Sequence, residues 1–453
     1  MFKKVLVANR GAVAARIIRA LQDSGIQSVA VYSHADADLP YIAQADERVC
    51  IGEAVARQSY LNMDAIVNAA CVTGADAIHP GYGFLSENAE FARKVMQAGK
   101  VFIGPAANWI ESMGHKTQAR ELMKQHAMPM CQSSQVLRGD LAQQSLQAAA
   151  VGFPLLIKPA AGGGGIGMLS VHSPEQLPAS LEKARGLAQR SFGNGELYAE
   201  QLFERPRHIE FQIIADNYGN AIHLFERDCS IQRRHQKVIE EAGAPAIERA
   251  TILSMADTAA HIMKTIQYNN IGTIETLYDP DRGFSFLEMN TRLQVEHGVT
   301  EEVTGVDIVR SQIALAAGQR LSDVISADLQ PPKGHAIQAR IYAEDPWRWI
   351  PSPGLLKVFR LSVGPGIRIE TGYAEGNRIS PYYDPMIAKV IAYGANRQQA
   401  IARLSEALSD SVVEGIKTNI PFLVAALQDA DFQEGKIHTQ LADDIVKRQT
   451  VHA

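Results

Sequence analysis

Apolar residues come in a short continuous run from Lys4 to Ala8, and beyond Asn9-Arg10-Gly11 they fall into helical spacing from Ala12 to Leu21, stopping at Gly25. A second apolar run, Ser28 to Tyr32, makes the opening a βαβ unit. Further strand patterns at Glu47 to Ile51, Ala75 to Ile78 and Lys100 to Ile103 predict a doubly wound unit that closes near Pro105. Later, an apolar strand from Gly152 runs into a glycine-rich loop, and Met168 to Val171 follows it. Polar and apolar residues alternate over Arg207 to Ile213, which a turn at Asp216 to Asn220 pairs with Ala221 to Phe225. The longest clean alternation lies between Phe284 and Glu301. Glu288, Asn290, Arg292, Gln294 and Glu296 take one parity, and Leu287, Met289, Thr291, Leu293 and Val295 the other, as in a strand with one buried face. Thr300 to Gly318 predicts one helix, Pro331 to Gly334 a linker, and Arg397 to Asp410 a closing helix after several short strands.

The polar parity of the central strand interleaves carboxylate, amide and guanidinium too regularly for a solvated face, and predicts a binding face. Its partner is Gly272 to Tyr278, joined through Asp279-Pro280-Asp281-Arg282-Gly283. A hairpin centred between Asp281 and Arg282 sets Glu275 opposite Glu288, where like charges roughly 5 Å apart destabilise the pair. A divalent cation removes that cost, with Asn290 as a third oxygen ligand. The alternative is a solvated pair of glutamates on an exposed edge.

At 453 residues the chain predicts about three domains. Its 46% hydrophobic and 21% charged residues are those of an ordinary globular protein, and a net charge of −5 excludes a general nucleic-acid binder. The N-terminal apolar run is too short for a signal peptide, and no run is long enough to span a bilayer. Cys50, Cys71, Cys131 and Cys229 are scattered, which suggests neither a zinc site nor a disulfide framework and points to a reducing cytoplasm.

Against that background four stretches carry candidate chemistry. His79-Pro80-Gly81-Tyr82-Gly83-Phe84-Leu85-Ser86-Glu87-Asn88 follows a strand end, where open α/β sheets place ligand contacts, and its glycines could let Tyr82 stand out as a platform. Lys158-Pro-Ala-Ala-Gly162-Gly-Gly-Gly165-Ile166-Gly167 reads as a phosphate cradle and mobile lid, though not a Walker A loop. His208, Glu210 and Gln212 share a strand face. Glu226 to Lys237 is a basic run, either paired internally with Glu240 and Glu241 or, the reading favoured, a local anion site.

Taken in this order, with Ala-Asn-Arg-Gly at the start, Arg340 to Pro346, and Tyr382-Tyr383-Asp384-Pro385-Met386 near the end, the motifs resemble the biotin carboxylases, a branch of the ATP-grasp enzymes. The resemblance runs nearly end to end. It implies an α/β chain with a Rossmann-like N-terminal domain (1–114), an ATP-grasp domain (115–331) with a lid at about 131–203, and an α+β C-terminal domain (332–447). It implies that Lys116, Lys158, Gly164, Gly165, His208, Gln232 and His235 hold ATP, with adenine near Glu200, Gln201 and Phe203. Glu275, Glu288 and Asn290 would hold Mg2+ or Mn2+. Lys237, Arg292, Gln294 and Val295 would bind bicarbonate, and Glu296 would deprotonate it. The carboxyphosphate formed would release CO2, and Arg340 would stabilise the biotin enolate while Tyr82 packs against the biotin ring. The sequence shows no Ala-Met-Lys-Met biotinylation motif, so a separate carrier protein and carboxyltransferase are expected, with a homodimeric enzyme and no membrane or nucleic-acid partner. Gln338, Ile166, Gly243 and Gly298 depart from the common pattern; a urea-carboxylase-like system or an ATP-grasp ligase for another carboxylate is the alternative.

Overall fold

The computed structural model describes residues 1–160, 166–326 and 329–451. Strands β1 (Lys4–Val7), β2 (Gln27–Ser33), β3 (Glu47–Gly52), β4 (Ala77–His79) and β5 (Val101–Phe102) form a parallel sheet in the order β3-β2-β1-β4-β5. Helix α1 (Gly11–Asp23) buries Val13, Ala14, Ile17, Ile18 and Leu21, one face of the spacing that predicts it. Connections run outward in opposite directions from β1 and β4, so the loops after these two adjacent strands flank the switch point of the sheet.

A small antiparallel sheet follows, β6 (Leu155–Pro159), β7 (Leu169–Val171) and β8 (Leu197–Gln201), in the order β7-β6-β8. Helices Leu141–Ala149 and Leu177–Phe192 cover it with a core of their own, built on Leu155, Ile157, Val171, Leu181 and Ala184.

The largest sheet comprises β9 (Arg207–Ala215), β10 (Ala221–Arg233), β11 (Gln236–Ala242), β12 (Asn270–Asp279), β13 (Gly283–Asn290), β14 (His335–Tyr342) and two further strands, Met386–Gly394 and Ile367–Thr371. It is antiparallel throughout, in the order β13-β12-β9-β10-β11-β14, then Met386–Gly394 and Ile367–Thr371. One parity of β9, Ile209, Phe211 and Ile213, packs in a core with Ile252, Met255, Ala259 and Met263 of helix Arg249–Thr265. The other parity, His208, Glu210 and Gln212, is also buried, so this sheet has a polar interior face.

Several elements differ from the pattern-based expectation. The central strand ends at Asn290, and 291–296 is irregular, leading into helix His297–Thr304. The helix expected over Thr300 to Gly318 is two, because Gly305 in the left-handed region stops the first and the Asp307 side chain caps the second, Ile308–Ala316. Helix Arg397–Ser409 does not close the chain, since Ile420–Gln428, Ala430–Gln433 and Leu441–Val451 follow it. At Gly243 the backbone has φ +92°, which proline cannot adopt. Among the described residues no helix is long and apolar enough to cross a membrane.

Candidate active site

Polar side chains from β9, β10, β11, β12 and β14 meet on the interior face of the large sheet. Lys237, near the start of β11, directs its Nζ to Glu210 Oε2 (2.5 Å), Glu275 Oε1 (2.7 Å) and Glu296 Oε1 (2.7 Å). Arg340 donates from Nη2 to Glu296 Oε2 (2.9 Å) and from Nε to Glu240 Oε1 (2.5 Å), whose other oxygen accepts from Gln338 (2.9 Å). His208 lies against Glu275 (3.1 Å) on one side and Gln232 (3.0 Å) on the other. An unbroken polar chain therefore runs from Gln232 through Glu275, Lys237 and Glu296 to Arg340.

Burial works to raise the Glu296 carboxyl, but Lys237 and Arg340 overcome it and hold the group below the usual carboxylate range. Lys237 and His208 do the same for Glu275. Burial disfavours charge on Lys237, yet Glu210, Glu275 and Glu296 raise its pKa well above the usual value, so it is a fixed cation. Burial outweighs Arg340 at Glu240 and leaves that carboxyl raised.

In the hairpin, Glu275 and Glu288 are direct cross-strand partners, as the sequence predicts. The turn is one position off: Asp279 faces Gly283, and a bulge between Glu275 and Thr276 restores the expected register. Here cationic side chains meet the like charges, Lys237 at Glu275 and Lys116 at Glu288 (3.5 Å). Asn290 lies two residues beyond Glu288, its Oδ1 accepting from Arg292 Nη2 (2.8 Å). Two carboxylates and an amide oxygen make a hard donor set that fits Mg2+ or Mn2+.

A cavity of about 520 Å³ opens beside this network, lined by Arg10, Tyr82, Arg292, Val295, Arg340 and Asp384. Arg292 is held by Glu87 (Nε to Oε2, 2.8 Å) and Gln294 (Nη1 to Oε1, 2.9 Å), while Glu87 Oε1 accepts from the Thr291 N–H (3.0 Å). Lys389 fixes the Val295 carbonyl (2.7 Å). The Tyr82 hydroxyl is buried with no hydrogen-bond partner among the described residues, and burial raises its pKa, so it stays a donor.

The nucleotide candidates are less convergent. Lys158 pairs with Glu200 (2.5 Å), which Arg120 also holds (2.8 Å), so this carboxylate is tied to two cations. Gln201 ends β8, and Phe203 packs under the Arg282 guanidinium at 5.4 Å. His235 sits apart on the exposed turn between β10 and β11, where Arg234 and His235 both have positive φ. Gly164 and Gly165, with the rest of 161–165 in the cradle, lie outside the described residues.

Two arginines of the basic run are paired internally, Arg227 with Glu210 and Arg233 with Glu344, which leaves Lys237 and His235 as members of the run that could meet an anion. The partners are not the expected Glu240 and Glu241; the latter holds His335 and Arg397. Sequence reasoning missed Glu87, Glu240 and Lys389 as site residues. Glu87 carried a signal, since it stands in the loop read only for Tyr82.

Residues 1–110 match the family described as biotin carboxylase, N-terminal domain, 115–324 the carbamoyl-phosphate synthase L chain, ATP binding domain, and 338–444 the biotin carboxylase C-terminal domain. The chain is 47% identical over 450 residues to a biotin carboxylase of Halalkalibacterium halodurans, covering 99% of each chain. It is 48% identical over 439 residues to biotin carboxylase 2 of Bacillus subtilis, covering 97% of this chain and 98% of that one. Among solved structures, the biotin carboxylase domain dimer of the Hydrogenobacter thermophilus 2-oxoglutarate carboxylase, in complex with MgADP, ADP and bicarbonate, superposes with a TM-score of 0.93 at 42% identity, over 98% of this chain and 99% of that one.

Proposed function

The chain belongs to the biotin carboxylase family, and from that premise we propose which of its residues carry out the ATP-dependent carboxylation of biotin by bicarbonate. The observation that carries the assignment is Glu296, buried between Lys237 and Arg340, the second of which lines a cavity that also presents Arg292 and Tyr82.

Glu296 is the base. In the free site Lys237 and Arg340 stabilise its charge and so weaken it as a proton acceptor. Bicarbonate bound by Arg292, Lys237, Gln294 and the Val295 backbone competes for the same ammonium; as Lys237 turns to the substrate, Glu296 loses a stabilising cation and its basicity rises toward what general-base catalysis needs. Substrate binding thereby arms the base. Lys116, Lys158, His208, Gln232 and His235, with Gly164 and Gly165, hold ATP, and Glu200, Gln201 and Phe203 border the adenine. Glu275, Glu288 and Asn290 hold Mg2+ or Mn2+, which when bound neutralises charge on the phosphates. Deprotonated bicarbonate attacks the γ-phosphoryl group and displaces ADP to give carboxyphosphate, which releases CO2 and phosphate; the phosphate takes the biotin ring proton, and Arg340 stabilises the enolate, whose ring nitrogen takes up the CO2, while Tyr82 packs against the ring.

Biotin is presented by a separate carrier protein, a separate carboxyltransferase uses the product, and the enzyme is a homodimer, as the thermophilic relative is described. The four cysteines are free, in keeping with the reducing cytoplasm we assign to the chain.

ADP release measured with and without biotin tests the roles. Glu296→Ala is expected to lose bicarbonate-dependent ATP cleavage in both assays by about 10² to 10⁴-fold. Arg340→Ala is expected to keep much of the biotin-independent cleavage while carboxybiotin formation falls about 10² to 10³-fold. Normal carboxylation by Arg340→Ala would remove it from the biotin step.

A further inference from the structure

We propose that Asn9 and His79 are positioning residues for biotin, strapping the loop 80–83 so that Tyr82 is held in the cavity wall. The inference rests on the assignment of that cavity to biotin. Asn9 follows β1 and His79 ends β4, so the two flank the switch point of the N-terminal sheet. The Asn9 amide donates from Nδ2 to the carbonyls of both Pro80 (2.7 Å) and Tyr82 (2.8 Å), and its Oδ1 accepts from the Arg10 N–H (2.9 Å). His79 Nδ1 accepts from the Gly81 N–H (3.0 Å), and its carbonyl accepts from the Ala8 N–H (2.9 Å). Both residues are buried, 2% and 0% exposed.

The residue types matter. Only an amide of this length supplies two donors to the Pro80 and Tyr82 carbonyls while accepting from the backbone; aspartate would set oxygen against oxygen. An imidazole that accepts at Nδ1 must be neutral, and burial lowers the His79 pKa to about 3, which keeps it so. The loop is drawn tightly onto Asn9: Gly81 has φ +63°, and a Cβ there would lie 2.9 Å from Asn9 Nδ2 and 3.1 Å from Val13 Cγ2. Among the described residues Tyr82 has no hydrogen-bond partner at its hydroxyl, so the backbone strap, not the side chain's own hydrogen bond, sets where the ring stands. Further along, Glu87 has a separate anchor on Thr291 and Arg292. Loosening the strap therefore moves Tyr82 and leaves the Arg292 anchor in place.

The test measures KM for free biotin, KM for bicarbonate and biotin-independent ATP cleavage in Asn9→Asp, His79→Leu, His79→Asn and Tyr82→Ala, with thermal melting of each. Asn9→Asp and His79→Leu are expected to raise the biotin KM about tenfold or more, because ångström-scale misplacement of a binding group has effects of this size, with the other two readouts within about twofold. His79→Asn is expected to recover much of the loss, since its side-chain oxygen can accept from the N–H two residues on. A merely structural role would not give that rescue or that split. If Tyr82→Ala raises the biotin KM but folded Asn9→Asp does not, the strap is wrong while the cavity assignment stands. If Tyr82→Ala leaves the biotin KM unchanged, the cavity assignment itself falls and the proposal with it. Should Asn9→Asp fail to fold, equal biotin KM values in His79→Leu and His79→Asn overturn the proposal, and a difference in the expected direction supports it.

Discussion

Three buried carboxylates share the ammonium of Lys237, and removing that charge leaves Glu210, Glu275 and Glu296 facing one another without it. Breaking a buried ion pair from one side costs about 3 to 5 kcal/mol, so Lys237→Met is expected to lose that order of stability at pH 7. The pH dependence should also change sign. In the wild type Glu275 and Glu296 have depressed pKa values, so their contribution is present above the unfolded carboxylate value and is lost as pH falls below it. In Lys237→Met burial works on both with the largest opposing charge gone, so the folded state takes up protons first and stability rises as pH falls from 7 toward 5. Denaturant unfolding at several pH values reads the slope; a wild-type slope in the variant would mean that Lys237 does not set these pKa values. At this scale the sequence shows Lys237, Arg292, Glu296 and Arg340 through residue type and motif order. It does not show what Glu87 and Glu240 hold, because each depends on a partner far away in the chain, Arg292 for one and Arg340 for the other.

Between β12 and β13, two small misreadings of the hairpin cancel. The turn centres on Asp281, half a step from the expected point, and the bulge supplies the missing half step before the glutamates are reached. Turn residues and alternation locate such a pair well, but a bulge leaves no mark in either pattern. The alternation past Asn290 misled for a different reason. The irregular segment 291–296 sends Leu293 into the core and Glu296 into the site, which imitates period two without any strand pairing. Glu288 itself is part-exposed and among the described residues has only the long contact to Lys116, so Glu288→Gln is expected to change stability by less than about 1 kcal/mol. Its effect should appear in metal dependence, with the Mg2+ concentration for half-maximal ATP cleavage rising about tenfold to a hundredfold. An unchanged Mg2+ titration would remove Glu288 from the metal site.

Across the whole molecule, the large sheet does not respect the linker at 331–334. β14 pairs directly with β11, Glu240 against Gln338, and this brings Arg340 to Glu296. Length predicts about three domains and the resemblance implies which they are, whereas this pairing joins segments about a hundred residues apart and has no local signature. A second long-range junction links the N-terminal unit to the C-terminal strands. Arg10 donates twice to Asp36 (both 2.6 Å) and once to the Tyr373 hydroxyl (2.9 Å), and its guanidinium lies 4.3 Å from the centre of the Tyr383 ring. Arg10 and Asp36 are both buried. Asp36→Leu strands the guanidinium in an apolar setting and is expected to cost about 3 to 5 kcal/mol, whereas replacing both charges together, as Arg10→Met with Asp36→Leu, is expected to recover most of that loss. The Tyr60 hydroxyl, which donates to Asp36 at 2.6 Å, keeps Tyr41 and the Ser33 N–H as neighbours at 3.2 Å, so it does not become an orphan in either variant. Unfolding free energies for the two single variants and the double variant form the cycle. A double variant no more stable than Asp36→Leu would show that the junction depends on the contacts of Arg10 with Tyr373 and Tyr383, the hydrogen bond to the Tyr373 hydroxyl included, and not on its charge pair.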